Sequence, residues 1–436
     1  MSFDQAITLT VLVLVVAALI SDRIRSDVVA LAGAAVLLVS GAVRPSEVQG
    51  AFGSPAIVTL AALFVIVYAI ELSGLLDKLI VGVTRACRRI GATGLWILIG
   101  LCGGLSAFLN NTPIVVLAAP IIKETAETLS LSARRFLIPL SYVAILGGTC
   151  TLIGTSTNLL VNDMARVARQ PQFGLFDVTP VGLSIAAAGA IYLFFASGKL
   201  VDSAGPRNPD RVEESIERHA QVAEGQVGSS ELFAVHRPFR PWRALIAVTV
   251  FVGAVTAAAL GWTPIAAAAF AGAVLLILLR VISPEEAYSG LRPDVLLLIV
   301  GMFVIGIAME QSGLAAVATS AMVSSVEPMG PLVALIVLYG ATLFLTELLS
   351  NATIAVLVTP IAVALAESLG VSPRPFLVAV MMAGSAAFAT PFGYQTNVLV
   401  YRLGGYGYMD FVRIGLPLNF ITWVVGVASI AFFFPF

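Results

Sequence analysis

The sequence predicts an all-α polytopic membrane protein: two inverted repeats, each with a re-entrant helical hairpin and a discontinuous helix, about ten spans plus two hairpins. Three observations carry that expectation. Only 11% of the 436 residues are charged while 59% are hydrophobic, whereas roughly a quarter of a soluble domain's residues are charged. Apolar stretches near the ~20 residues that a spanning helix requires recur from Phe3 to Phe436. Polar landmarks inside those stretches also recur at one fixed spacing. A net charge of −1 gives no basic field for nucleic acid, so the lipid bilayer is the expected surrounding. Cys87, Cys102 and Cys150 are too few and too apolar in setting for a disulfide framework or a zinc cluster, and read as small core residues.

The chain opens Met1-Ser2-Phe3-Asp4, without the basic stretch of a secretory signal, and its first apolar run, 3–21, lacks a small-residue cleavage site. Residues 1–27 are therefore expected to stay as a first transmembrane helix, with no lipid anchor. Residues 28–200 form the first repeat, with apolar runs at 28–43 and 56–75, a hairpin at 93–122, an interrupted run at 136–168 and a span at 179–200. The run 113–122 is too short to cross and follows Asn110-Asn111-Thr112-Pro113, so 93–122 reads as an arm that enters the membrane and returns. Residues 201–243 hold both histidines and 13 of the 49 charged residues, which makes them a polar cytoplasmic linker. Residues 244–436 form the second repeat, with runs at 263–281 and 295–312, a hairpin at 331–366, an interrupted run at 376–402 and a last span at 413–435.

The duplication is legible in register. Asn110-Asn111-Thr112-Pro113-Ile114 matches Ser350-Asn351-Ala352-Thr353-Ile354 at an offset of 240, and Gly154-Thr155-Ser156-Thr157-Asn158 matches Gly393-Tyr394-Gln395-Thr396-Asn397 at 239. Glu71 with Glu310 and Arg134 with Arg374 hold the same spacing. The stretch after Glu71 carries Lys78, Arg85, Arg88 and Arg89, whereas the matching stretch from Ser312 to Pro331 has no Lys or Arg. The positive-inside rule then turns the copies opposite ways, an arrangement in which secondary transporters hold a midplane site between repeats. Both termini are expected outside a cell (inner or plasma) membrane.

Backbone that leaves the helix at membrane depth is tolerated where protein, water or ligand satisfies it, so the four interruptions are the candidate site. The second arm of each hairpin opens with free N–H groups, the partially positive end that suits an anion. Each first arm ends in free carbonyls, which suit a cation. No Arg or Lys lies within the four motifs. Moving a dianion into a negative interior costs on the order of 5 kcal/mol at 100 mV, which two accompanying cations would cancel. Glu347 stands three residues before the second tip, where Ala107 stands in the first copy. It reads as a proton-coupling group, as a ligand of the second cation site, or as a carboxyl that bonds a neighbouring helix.

These paired tips and breaks resemble the divalent-anion:sodium symporter family of the ion transporter superfamily over nearly the whole chain. The resemblance implies an elevator-type homodimer without organic cofactor, in which Na+ is co-transported with a small anionic substrate, a dicarboxylate or sulfate. It also implies one sodium site at Ser106, Asn110, Asn111, Gly154 and Asn158, and another at Thr346, Ser350, Asn351, Gly393 and Asn397. Substrate would meet Asn111, Thr112, Thr155, Asn351, Thr353 and Tyr394. The family tip is Ser-Asn-Thr; here the first is Asn110-Asn111-Thr112 and the second carries Ala352 in place of the usual hydroxyl. Efflux of an oxyanion such as arsenite, proton-coupled anion transport and an ion channel are the competing expectations. An enzyme is disfavoured because the membrane segments hold no cluster of His, Cys or paired carboxylates.

Overall fold

A computed structural model describes residues 2–21, 24–87, 90–201, 238–314 and 330–436. These residues form nineteen helices and no strand. One group is α1 (Phe3–Ser21), α2 (Ser26–Val39), α3 (Pro45–Phe52) and α4 (Pro55–Leu72), with α11 (Pro241–Ala259), α12 (Ile265–Leu278), α13 (Pro284–Gly290) and α14 (Pro293–Gln311). Helix α2 packs along α14, and α4 along α12. The other group holds the interruptions. It contains α6 (Ala92–Ser106), α7 (Asn111–Thr128), α8 (Arg134–Gly148), α9 (Ser156–Val167) and α10 (Thr179–Val201), joined to the first group by α5 (Leu75–Cys87). It also contains α15 (Gly330–Leu345), α16 (Asn351–Ser368), α17 (Arg374–Gly384), α18 (Gln395–Gly404) and α19 (Tyr408–Phe433).

Among the described residues, six helical stretches are long and apolar enough to cross a membrane, and six further apolar helices are shorter. Burial differs from helix to helix within each group. On α11 the buried residues Ala244, Ala247, Phe251 and Ala254 form one stripe, while Trp242, Leu245 and Val252 lie exposed, the pattern of a helix with one protein-facing side. On α17 every residue from Pro375 to Gly384 is buried.

Helix boundaries in the two halves share a spacing. Helices α7 and α16 begin and end 240 residues apart, and α8 and α17 begin 240 apart. The packing is reciprocal: α7 touches α18 while α16 touches α9, and α8 touches α18 while α17 touches α9. Ion pairs follow the same exchange. Arg134, opening α8, reaches Asp410 on α19 at 2.7 Å, and Arg374, opening α17, reaches Asp177 just before α10 at 3.0 Å.

The interruptions differ in one respect. In the first copy α8 runs to Gly148 and the chain resumes at Ser156, but in the second α17 stops at Gly384 and the chain resumes only at Gln395. The extra unwound turn needs other partners for its N–H groups. Most of the linker, 202–237, lies outside the described residues, as do Arg88, Arg89 and 315–329, on which part of the orientation argument rests.

Candidate functional site

The first tip is built by capping. The Asn110 side-chain oxygen accepts the Thr112 N–H at 3.3 Å, so α7 begins at Asn111 rather than at Thr112-Pro113. Pro113 then falls in the first turn, where its missing N–H costs no intrahelical bond. Ser106, ending α6, donates across the tip to Asn111 Oδ1.

Behind the tip, the break between α8 and α9 folds around Thr151. Its hydroxyl donates to the Ala107 carbonyl and accepts the Gly154 N–H at 3.1 Å, and its carbonyl accepts Asn158 Nδ2 at 2.9 Å. Glycine is required where oxygens crowd together. A Cβ on Gly154 would lie 2.4 Å from the Gly148 carbonyl oxygen and 2.7 Å from that of Ala107. One on Gly148 would lie 2.7 Å from Asn111 Oδ1 and 3.2 Å from the Gly154 carbonyl oxygen. Two carbonyl oxygens thus crowd the space beside Gly154, and an amide and a carbonyl oxygen the space beside Gly148. Asn158 is fully buried, and its Oδ1 receives no hydrogen bond. The Ala107 carbonyl and Asn111 Oδ1 already accept the Thr151 and Ser106 hydroxyls, so Asn158 Oδ1 is the oxygen left to suit a hard cation at the ends of unwound helices.

The second copy repeats this wiring. Ser350 caps α16 by accepting the Thr353 N–H at 3.3 Å and shares a 2.7 Å hydroxyl contact with Thr353. The Thr346 hydroxyl lies 2.8 Å from both Asn351 Oδ1 and the Gly384 carbonyl, either of which can accept its one hydrogen. Thr390 takes the part of Thr151: its hydroxyl accepts the Gly393 N–H at 3.1 Å, and its carbonyl accepts Asn397 Nδ2 at 3.3 Å. One contrast is chemical. Asn397 Oδ1 accepts the Ser141 hydroxyl at 2.7 Å, whereas the residue 240 positions beyond Ser141 is Met381, on the helix packed against α9. Methionine has no hydroxyl to offer Asn158.

Glu347 supplies what the longer second break needs. Its carboxylate accepts the N–H groups of Phe388 (2.8 Å), Ala389 (2.7 Å) and Thr390 (2.9 Å), the Thr390 hydroxyl (2.8 Å) and Asn419 Nδ2 (2.7 Å). Of the roles open to this residue, bonding the neighbouring element is the one these contacts describe. Every one of these partners is a donor. A Cβ on Gly393 would lie 3.3 Å from Glu347 Oε2, so the carboxylate also borders the second break's glycine.

The first tip and the second break meet at Tyr394. Its hydroxyl accepts Asn111 Nδ2 at 2.9 Å and is hydrogen-bonded to Thr155, and beside it Thr112 Oγ1 donates to Gln395 Oε1 at 3.3 Å. Asn111, Thr112, Thr155 and Tyr394 are therefore together, while Asn351 and Thr353 bond within their own hairpin. Sequence reasoning missed Thr151 and Thr390, although a Thr at the same 239-residue offset was there to be read. It also missed Arg292, whose Nη1 reaches Gln395 Oε1 at 3.4 Å from 103 residues away with no local signal.

Residues 16–370 match the citrate transporter family, CitMHS. The uncharacterized transporter sll0640 of Synechocystis is 27% identical, with 96% of this chain and 95% of the relative covered. The sodium-dependent dicarboxylate transporter SdcS of Staphylococcus saprophyticus is 23% identical over 92% of this chain and 80% of its own. Sodium/sulfate cotransporter 1 of Chlamydomonas reinhardtii is 41% identical over 119 residues, 26% of this chain and 13% of the relative. The match over most of the chain, on helices apolar enough to cross a bilayer, makes this a multi-pass membrane transporter rather than an enzyme, and it belongs to the citrate transporter family of divalent-anion:sodium symporter-type permeases.

Proposed function

We propose that the protein couples the uptake of a small divalent anion, a dicarboxylate or sulfate, to the inward movement of sodium across the cell membrane. The observation that carries this reading is the buried, unpartnered Oδ1 of Asn158 in the first break, where the Ala107 and Gly148 carbonyls also crowd the space beside Gly154. A cation there would give Asn158 Oδ1 the partner that the protein withholds. Ser106, Asn110, Asn111, Gly154 and Asn158 form or shape that sodium site. Thr346, Ser350, Asn351, Gly393 and Asn397 form its counterpart, and the anion lies against Asn111, Thr112, Thr155, Tyr394, Asn351 and Thr353. Two sodium ions offset a dianion's charge. The sodium coupling named in two relatives agrees with this.

Inverted repeats are supported by the matched hydrogen bonds and the exchanged Arg134–Asp410 and Arg374–Asp177 pairs. The separate packing of α1 to α4 with α11 to α14 supports an elevator, in which the interrupted helices carry both sites past a scaffold, within a homodimer.

The test is transport by the purified protein in liposomes. Labelled sulfate or succinate should accumulate only under an inward sodium gradient, and Asn158→Ala should raise the sodium concentration for half-maximal uptake at least tenfold. Accumulation without sodium overturns the symporter reading. Unchanged sodium dependence in Asn158→Ala overturns the site.

A further inference from the structure

The first tip is short of the positive charge that an anion requires. Pro113 has no N–H to offer, and the Thr112 N–H is already bonded to Asn110. None of the interrupted motifs contains Arg or Lys. The fold nevertheless delivers a guanidinium to this place from the other helix group. Arg292 immediately precedes α14, and its Nη1 donates to Gln395 Oε1 at 3.4 Å, the same oxygen that accepts the Thr112 hydroxyl at 3.3 Å. One amide oxygen therefore links the guanidinium to a residue of the tip. Tyr394, which holds Asn111 and Thr155, is the next residue along the chain.

Arg292 is not locked into a closed ion pair. Its Nη2 lies 3.6 Å from Asp294, beyond hydrogen-bond distance, and its side chain keeps 30% of its exposure. Asp294 also lies within electrostatic reach of Arg25, itself bridged to Asp27 at 2.8 Å. Arg292 thus faces a weakly held carboxylate on one side and the tip's neutral amide on the other. Gln395 is the first residue of α18, a helix end that carries partial positive charge and does nothing to neutralise the guanidinium.

We infer that Arg292 is an affinity-determining residue for the transported anion: its guanidinium draws a divalent oxyanion to the tip formed by Thr112, Tyr394 and Gln395, with Asp294 as the competing partner. This rests on the anion-symporter reading. Guanidinium matches the geometry of carboxylate and sulfate oxygens better than ammonium does, and removing the competing carboxylate should leave it more available.

The test measures half-saturation by sulfate and by succinate, at fixed saturating sodium, from uptake into liposomes and from thermal stabilisation of the purified protein. Wild type, Arg292→Gln, Arg292→Lys and Asp294→Asn are compared. Arg292→Gln should raise half-saturation for both anions about tenfold with maximal rate largely kept, and Arg292→Lys should recover part of the loss. Asp294→Asn should lower half-saturation severalfold. That opposite sign is one which loss of a structural ion pair would not give, and it stands even if Arg292→Gln does not fold. Stabilisation by sodium alone should be the same in all four proteins. Unchanged half-saturation in Arg292→Gln, or a rise in Asp294→Asn, overturns the inference alone. A wild type that neither anion stabilises nor enters liposomes with overturns the anion-symporter reading and the inference together.

Discussion

At the scale of single residues, the site is an exercise in where oxygens are left without donors. Gly154 has no unusual backbone conformation to maintain; what it must lack is a side chain, because a Cβ would press on two carbonyl oxygens at 2.4 and 2.7 Å. Gly154→Ala should therefore abolish sodium-induced thermal stabilisation while leaving the overall helix content by circular dichroism unchanged; retained stabilisation would place the ion elsewhere. Glu347 is the converse case, an acceptor surrounded by donors. Glu347→Ala strands the N–H groups of residues 388–390, each worth about 1–3 kcal/mol when buried and unsatisfied. The expected result is a thermal midpoint several degrees lower, with rapid amide exchange confined to that loop. The residue types of this wiring were legible at the offsets of 239 and 240, but the role of Glu347 was not. It depends on α17 stopping at Gly384, and helix boundaries are set by packing as much as by local preference.

At the scale of elements, small residues let helices approach, as is usual where lipid provides no hydrophobic drive between them. A Cβ on Gly147 would lie 2.0 Å from the Gly103 carbonyl oxygen, and one on Gly415 the same distance from that of Phe388. The tightest contacts of α6 with α8 and of α19 with the second break thus require glycine. The exchanged ion pairs should differ in worth because their burial differs. The Asp410 side chain is 1% exposed, whereas Arg374 and Asp177 are 33% and 43% exposed. Breaking the first leaves a buried charge and costs roughly 3–5 kcal/mol, while the second is worth about 0–1 kcal/mol. Unfolding in detergent should show Arg134→Ala far less stable than Arg374→Ala. Equal losses would mean that the two exchanges are energetically equivalent despite their burial.

At the scale of the whole molecule, the proposed movement needs a surface along which the two helix groups slide. Helix α14 meets α9 and α16 at Gly306, where an added Cβ would lie 2.7 Å from the Met164 methyl carbon and 2.9 Å from Val356. A bulky Gly306→Leu should slow sulfate or succinate uptake at least tenfold while sodium-induced stabilisation persists; unimpaired uptake would argue against sliding at this seam. The sequence alone determined the all-helical membrane setting and the places where the helices break, because scarcity of charge, apolar run length and polar residues inside apolar runs are properties of the chain read in order. It also located the polar residues of both tips, since Asn, Ser and Thr inside apolar runs are conspicuous whatever their contacts. Only the tertiary structure decided which of them meet. Tyr394 joins Asn111 and Thr155, Ser141 satisfies Asn397 while Asn158 goes without, and Arg292 arrives beside a tip that its own segment does not contain. Those outcomes follow from packing between residues more than a hundred positions apart, which local pattern cannot encode.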